Sequence, residues 1–420
     1  MTRDAGEDVW RREAPHVLAA LLRRSGDFES CEDAVQEALI AASVQWPAEG
    51  MPDNPRGWLI RVASRKLIDH QRSQTARTRR ELEAAAYASD PAGLEPAADA
   101  LPHDDDTVQM LLLCAHPALS ESSQVALTLR AVAGLTTAQI AAGFLVPEAT
   151  MAQRISRAKA TLRGAGARFE APTAADLPGR LHAVRHVLYL TFNEGYATSS
   201  GANLIDTDLA IEAIRVTERL HRALPDDTET ASLLALMLLT HARAPARTDD
   251  RGDLVPLAEQ DRSRWDRDLV ARGTTLVEQA LAAGPAGPFA LQAAIAAIHD
   301  EATTSGATDW LQITVLYRML DGLAPSPTVT LNLAIAVGMA HGPTAGLDLL
   351  DPLLEQEGQQ RNHRVHAARA HLLDLAGSTA PAQQEYRVAA RLTASIPEQR
   401  YLNRRANPRT AGRAPSQQNR

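Results

Sequence analysis

Residues 135–162, LTTAQIAAGFLVPEATMAQRISRAKATL, contain the pattern that decides the fold of the N-terminal half. The pattern predicts a first helix with Ile140 and Ala141 facing inward, a bend through the LVP sequence, and a second helix with Met151 and Ile155 inward. The small Ala141 side chain allows the two helices to touch, and the proline suits the first turn of the second helix. We therefore expect a helix-turn-helix.

The outward face of the second predicted helix is polar and basic. It presents Thr150, Gln153, Arg154, Arg157 and Lys159. Side chains of these types bind base edges and phosphates in a DNA major groove. The alternative is an ordinary helical hairpin with a solvated face, which leaves the cations without a partner.

The composition favours packed helices throughout the chain. Hydrophobic residues make up 45% of the 420 residues and aromatic residues only 4%. The interior must then consist mainly of Ala, Leu, Val and Ile, and Ala and Leu are the best helix formers. A chain of this length is expected to form about two to four domains. The sequence thus predicts an all-α fold.

Charge is segregated along the chain, although the formal net charge is only −8. Residues 54–80 contain eight basic residues and one acid, and residues 81–110 contain eight acids and no Lys or Arg. Residues 147–168 are basic again, with five cations and one acid. The pattern indicates two cationic helical units joined by an acidic linker.

Two further amphipathic helices are predicted before this linker. The first lies in DFESCEDAVQEALIAASVQW, residues 27–46, and its exposed face is expected to carry Glu32, Asp33, Gln36 and Glu37. Its buried face is expected to carry Ala34, Val35, Ala38, Leu39 and Ala42. The second lies in NPRGWLIRVASRKLIDHQR, residues 54–72, with an apolar stripe formed by Trp58, Leu59, Val62, Leu67 and Ile68.

The order of these elements resembles the sigma-70 family, in particular its extracytoplasmic-function class. The resemblance implies that residues 1–82 form sigma region 2, that 83–106 form an acidic flexible linker, and that 107–170 form region 4 with the helix-turn-helix. It also implies the partners, core RNA polymerase and promoter DNA. Core polymerase would contact Glu32, Asp33, Gln36 and Glu37. The −10 element would contact Arg56, Arg61, Arg65, Lys66 and Arg72, and the −35 element would contact Thr150, Gln153, Arg154, Arg157 and Lys159.

Residues 171–400 have a helical pattern that repeats. Residues 291–296, LQAAIA, align with residues 331–336, LNLAIA, at a period of 40. Small residues recurring at this period are typical of tetratricopeptide-like arrays of paired helices. The alternative is an irregular helical bundle. Residues 401–420 are predicted to form a disordered tail.

Several stretches of this C-terminal part narrow the resemblance further. FNEGY at 192–196, GDLVPLAEQDRSRW at 252–265 and GPFALQAAIAAIHDEA at 287–302 look like the subgroup whose sigma module is fused to a tetratricopeptide-like domain. The resemblance implies that the extension regulates the sigma module and that a small YCII-related signalling protein is a partner. The candidate regulatory contacts are Asn193, Glu194, Tyr196, Asp261, Arg262, Arg264 and Trp265. The alternative for these residues is helix capping and buried polar bridging.

The sequence gives little support to catalysis, cofactors or metals. Cys31 and Cys114 are the two cysteines, and neither has partners at metal-ligand spacing. His182 and His186 lack the glutamate that a metalloprotease helix needs, and no phosphate-binding glycine loop is present. The charged N-terminus and the lack of a long apolar stretch predict no membrane span and a cytoplasmic location. We expect no enzyme activity, no cofactor and no metal site.

Two other functions are compatible with parts of the sequence. One is a one-component helix-turn-helix transcription regulator that senses a ligand or protein through its helical repeats. The other is a repeat scaffold without a DNA role, which does not explain the two arginine-rich blocks.

Overall fold

The computed structural model describes residues 3–82, 104–144, 146–167, 169, 172–197, 200–201, 204 and 207–407. The chain divides into two compact units, Met1–Leu190 and Thr191–Arg420. Within these described ranges each unit is helical, apart from one pair of two-residue strands, so the all-α prediction is confirmed. In the described part of the chain, no helix combines the length and the apolar character that crossing a bilayer requires.

The first unit begins with three packed helices, α1 (Arg3–Ser25), α2 (Phe28–Glu49) and α3 (Pro55–Leu82). The Asp27 carboxylate starts α2 by accepting a hydrogen bond from the Glu29 amide at 3.2 Å. The rings of Trp46 and Trp58 meet edge to face, with centroids 5.6 Å apart, and join the end of α2 to the start of α3.

The predicted inner faces of α2 and α3 are largely confirmed. The buried members are Ala34, Val35, Ala38, Ala42, Leu59 and Leu67, and the half-buried ones are Leu39, Trp58, Val62 and Ile68. Because these residues lie at helical spacing, the sequence pattern alone located the core of this part.

The helix-turn-helix is confirmed. It follows α4 (Asp104–Cys114) and α5 (Glu121–Ala131) and consists of α6 (Thr137–Gly143) and α7 (Glu148–Gly164). All four residues expected inside are buried, namely Ile140, Ala141, Met151 and Ile155. Thr136 and Gln139 form a reciprocal capping box at the start of α6, with distances of 2.8 and 3.1 Å.

One end of the predicted linker is helical. Residues 104–106, assigned to the linker, form the first turn of α4. Residues 83–103 lie outside the described part of the chain. The helix α8 (Leu177–Tyr196) follows the helix-turn-helix.

The second unit consists of successive helices. Their bounds are α9 (Thr207–Ala223), α10 (Thr228–Ala242), α11 (Arg267–Ala283), α12 (Pro288–Glu301), α13 (Trp310–Leu323), α14 (Pro327–His341), α15 (Pro343–Leu354), α16 (His363–Leu375), α17 (Thr379–Leu392) and α18 (Ile396–Ala406). From α9 onward, each of these helices packs against the next one along the chain.

The core of this unit is divided into small clusters, each built by three consecutive helices. One cluster joins α10, α11 and α12, another joins α12, α13 and α14, and others join α14 to α16 and α16 to α18. Ile295 and Ala336, from the two repeated LxxAIA stretches, share one cluster. Close approach of α14 and α15 requires Gly346, because a Cβ there would lie 2.6 Å from the Ala334 carbonyl oxygen.

The predicted disordered tail begins too early. Residues 401–406 belong to α18, because Leu402 and Ala406 are buried and Arg405 donates to the Asp374 carboxylate at 2.8 Å. Residues 408–420 lie outside the described part. The strands β1 (Ser200–Gly201) and β2 (Ala394–Ser395) pair in parallel within this unit.

Candidate DNA-binding and protein-binding surfaces

The outer face of α7 carries four of the five residues that were expected to bind DNA. Thr150, Gln153 and Arg157 are exposed, and Arg154 is half-buried. Their spacing of three, four and seven residues puts them on one side of the helix. This face thus presents two guanidinium groups, an amide and a hydroxyl to solvent, the donors that read guanine and adenine edges.

Lys159 does not lie on this face, contrary to its predicted position. It lies two residues after Arg157, about 200° around the helix, and is only 7% exposed. Its ammonium group donates to the Asp33 carboxylate at 2.7 Å and also pairs with Glu32. These carboxylates raise the pKa of Lys159 against the opposing effect of burial.

The expected polymerase-binding residues of α2 divide into two groups. Asp33 is exposed, and Gln36 and Glu37 are half-buried, so these three side chains are accessible. Glu32 was expected on the same face but is 1% exposed, which corrects the prediction. Its carboxylate accepts from Nε of Arg130 at 2.8 Å and pairs with Lys159, so it is covered by α5 and α7.

An apolar patch extends the accessible face of α2 toward its C-terminus. Ile40 is 64% exposed and Val44 is 69% exposed. With Asp33 and Glu37 they lie at spacings of four, seven and eleven residues, so the four side chains form one stripe. Sequence analysis missed Ile40 and Val44, although two large apolar residues on the polar side of an amphipathic helix are a recognisable signal.

The basic residues of α3 also divide into two groups. Arg61, Arg65 and Arg72 line a cavity of about 260 Å³ between α1 and α3, together with Leu21, Arg24, Ser25, Ser64, Leu67, Ile68 and Asp69. Arg56 instead donates from Nε to the Glu13 carboxylate at 2.6 Å. Lys66 lies 3.1 Å from Glu37, so its charge is offset within the same three-helix group. The cavity therefore gathers three of the five residues expected at the −10 element.

Most of the residues of the extension that were predicted to make regulatory contacts instead contact other parts of the extension. Trp265 is 3% exposed and packs near two guanidinium groups, with Cζ of Arg262 at 4.6 Å and Cζ of Arg243 at 5.5 Å from the ring centroid. Arg262 also donates to the carbonyl oxygens of His299 and Ala302, both at 2.6 Å.

Arg243 forms a buried ion pair beneath this tryptophan. Its Nε donates to Asp300 at 2.6 Å, and its Nη2 donates to the Ala296 carbonyl oxygen at 2.8 Å. The two cations Arg243 and Arg262 and burial together lower the pKa of His299 to about 3, burial having the larger effect. This neutral imidazole lies edge to face against Trp310 at 5.2 Å. The loop around Trp265 is therefore anchored to Arg243, which follows α10, and to the C-terminal end of α12.

The remaining predicted regulatory residues differ in exposure and in their contacts. Tyr196 stacks on Phe192 at 5.8 Å, and Cζ of Arg247 lies 3.6 Å from its ring centroid. Asp261 caps a short turn by accepting from the Ser263 amide at 2.9 Å. Asn193 and Glu194 are half-buried, whereas Arg264 is exposed. The alternative of capping and polar bridging thus describes Tyr196, Asp261, Arg262 and Trp265, and Arg264 is the candidate best placed to meet a partner.

No metal centre is found within the described residues. No group of three His, Cys, Asp or Glu side chains there is arranged to hold an ion. Both cysteines are buried, and burial raises the pKa of the Cys31 thiol to about 11 and raises that of Cys114 as well. These thiols are therefore packed core groups.

Comparison with known families identifies three regions of the chain. Residues 9–77 match sigma-70 region 2, and residues 109–162 match sigma-70 region 4. Residues 180–281 match a family of unknown function, DUF6596. The first two matches correspond to the three-helix group with the arginine-lined cavity and to the helix-turn-helix group.

Two relatives extend the comparison. The uncharacterized protein R00370 of Rhizobium meliloti is 40% identical over 390 residues, which cover 92% of each chain. The probable ECF RNA polymerase sigma factor SigI of Mycobacterium tuberculosis is 33% identical over 156 residues, which cover 36% of this chain and 52% of that protein. No solved structure matches the chain.

Proposed function

Because the chain belongs to the same family as R00370 and carries region 2 and region 4 domains of the sigma-70 extracytoplasmic-function class, we propose that it is a cytoplasmic alternative sigma factor. It binds core RNA polymerase and directs it to specific promoters. The observation that carries this proposal is the α7 face, which exposes Gln153, Arg154 and Arg157 on a helix-turn-helix. Sigma domains are not enzymatic, so the function is one of binding.

The α2 stripe is the proposed polymerase-binding surface. Its carboxylates Asp33 and Glu37 steer a basic partner helix, and Ile40 and Val44 supply apolar area that loses contact with water on binding. A surface of this kind fits a protein partner better than DNA, because carboxylates repel phosphates.

The cavity beside α3 is the proposed site for the −10 element. The cavity is lined by four guanidinium groups, those of Arg24, Arg61, Arg65 and Arg72, which attract the phosphates of a DNA strand. The apolar side chains of Leu21 and Ile68 offer a surface on which an unstacked base can pack. Asp69 on the same wall accepts hydrogen bonds, which favours bases with amino groups. Arg56 and Lys66, which are paired within region 2, contribute less to DNA affinity.

The α7 face is the proposed site for the −35 element. Arg154 and Arg157 are the side chains best suited to form bidentate hydrogen bonds with guanine. Gln153 is suited to form them with adenine. Thr150, at the N-terminal end of α7, is placed to bind a phosphate. We propose that Lys159 takes no part in base recognition while it is paired with Asp33.

We propose that the extension is a tetratricopeptide-like array that regulates the sigma module. Its succession of small cores, each shared by three consecutive helices, is the packing expected when neighbouring repeats bury one another. Arg264 is the proposed contact with a signalling partner, and a small YCII-related protein is the candidate partner. Asn193 and Glu194 remain secondary candidates.

The test is reconstitution with core polymerase. The full chain should form a complex with core and yield a specific transcript from a promoter of its own regulon, selected by sequencing the transcripts that it initiates on genomic DNA. If the protein is instead a one-component regulator, the free protein should bind duplex operators tightly without core polymerase. A chain that neither binds core nor starts a specific transcript would refute the proposal.

A further inference from the structure

Within the first unit, cations of α5 and α7 meet carboxylates of α2. Lys159 pairs with Glu32 and Asp33, Arg130 pairs with Glu32, and Arg163 pairs with Glu29. Arg163 also lies 3.8 Å from Asp27. The ion pairs join residues about 100 or more positions apart, across the linker, so they connect region 2 directly to region 4.

The centre of this cluster is withdrawn from solvent. The side chains of Glu32 and Lys159 are 2% and 9% exposed, and that of Arg130 is 14% exposed. A buried charge without its partner is strongly destabilising, so the three groups must be together in this arrangement. Toward the edge the pair of Arg163 and Glu29 is more exposed, at 56% and 27%.

The cluster uses groups that the proposed function needs elsewhere. Asp33 belongs to the proposed polymerase-binding stripe and here holds Lys159. Glu32 precedes it on α2 and is covered by region 4. A partner helix cannot occupy this end of α2 while α7 lies there, because the same carboxylates would have to serve both.

We propose, on the basis of the proposed sigma function, that this cluster is an electrostatic latch that closes the free sigma module. In the closed state α5 and α7 cover Glu32, and Lys159 of α7 engages the Asp33 carboxylate, so the affinity of α2 for core polymerase is reduced. Core polymerase must displace region 4 from α2, and this releases the α7 helix for the −35 element. The latch therefore limits promoter binding by the free protein.

The pair Glu29 and Arg163 gives a clean test, because neither residue belongs to the proposed polymerase or DNA contacts. Glu29→Arg and Arg163→Glu each put like charges together, and the double variant restores an opposite pair with unchanged net charge. Glu49→Arg is the control for Glu29→Arg, since it makes the same charge change at an exposed position at the other end of α2. All variants are made in the full chain.

Two measurements are needed. Opening is followed by energy transfer between dyes on Gln45→Cys in α2 and Ser122→Cys in α5, both exposed positions, while the native cysteines are buried. Affinity for core polymerase is measured by titration of the same proteins. Each single reversal should lower the transfer efficiency and strengthen core binding by about two- to fivefold, the effect expected for a partly exposed ion pair. The double variant and Glu49→Arg should behave as the unsubstituted protein does.

The outcomes separate the two proposals. Unchanged energy transfer in both single variants would show that the latch does not hold the regions together. Opening without tighter core binding would show that the latch covers nothing that polymerase needs. If neither the unsubstituted protein nor any variant binds core polymerase, the sigma function itself is refuted, and with it the proposal of a latch.

Discussion

Arg157 and Lys159 are two residues apart on α7 and serve opposite sides of the helix. Arg157 is exposed on the face that also carries Gln153, whereas Lys159 is buried against the Asp33 carboxylate of α2. One helix thus contributes both a candidate base-reading surface and an intramolecular ion pair. The two roles can be separated by substitution.

Arg157→Ala should weaken −35-dependent initiation by about 1–3 kcal/mol if the guanidinium binds a base. The loss should be largest at promoters with guanine at the contacted position, because a bidentate contact is specific. Initiation rates at promoter variants with single changes in the −35 element provide the measurement. A loss of equal size at every promoter would instead assign Arg157 to a phosphate.

Ile40→Glu should weaken binding to core polymerase by about 1–2 kcal/mol, roughly tenfold, if the apolar part of the α2 stripe is covered in the complex. The side chain is 64% exposed, so the substitution should leave the stability of the free protein unchanged. Gln45→Glu adds the same charge at another exposed position of α2 and should bind core normally. Equal behaviour of the two variants would exclude Ile40 from the interface.

The fold was largely predictable because helical periodicity is a local property. The positions of Ile140, Ala141, Met151 and Ile155 in the sequence already required a helix-turn-helix, and all four are buried. The candidate binding faces were less predictable, since exposure depends on what packs against a helix. Glu32 and Lys159 have the spacing of surface residues, and they are buried because α5 and α7 pack against α2.

The same limit applies to the extension. The repeat of small residues was enough to predict packed helices. It was not enough to predict whether a conspicuous side chain is exposed for binding or buried in the core. Trp265 and Arg262 lie in a polar stretch that resembles a binding loop, yet the stacked Arg243 and the buried Asp300 make them part of the core. No sign of these contacts was present in the sequence, because Asp300 is distant in sequence, on α12, and Arg243 precedes the loop, just after α10.

Trp265→Ala should therefore destabilise the protein by about 3–5 kcal/mol, since a large buried side chain and its contacts with two guanidinium groups are lost. Arg264→Ala, one residue earlier and exposed, should change the stability by less than about 0.5 kcal/mol. Thermal unfolding of the full-length variants measures both effects. If Arg264 contacts a signalling partner, its variant should alter promoter-dependent transcription at normal stability, and an unaltered output would remove it from the proposed contacts.

His366 of α16, which contacts Glu385 of α17, should make the stability of the extension depend on pH. Nδ1 of His366 lies 2.7 Å from the Glu385 carboxylate, and Nε2 lies 2.9 Å from the Gln360 carbonyl oxygen. The hydrogen bond to Glu385 raises the pKa of His366 above 6.5, although burial opposes it and Arg369 nearby lowers it. The pKa of Glu385 is lowered by the same hydrogen bond, so the carboxylate stays ionised near neutral pH.

The folded pKa of His366 is raised, so its stabilising contribution is fully present below about pH 6.5 and is lost as the pH rises through the folded pKa. The unfolding free energy of the unsubstituted protein should therefore fall by about 1 kcal/mol relative to that of His366→Asn between about pH 6 and pH 9. Comparing the two proteins cancels the titration of the other histidines. Denaturant unfolding of the full chain across this range gives the difference, and parallel pH curves for the two proteins would show that the pair of His366 and Glu385 does not stabilise the fold.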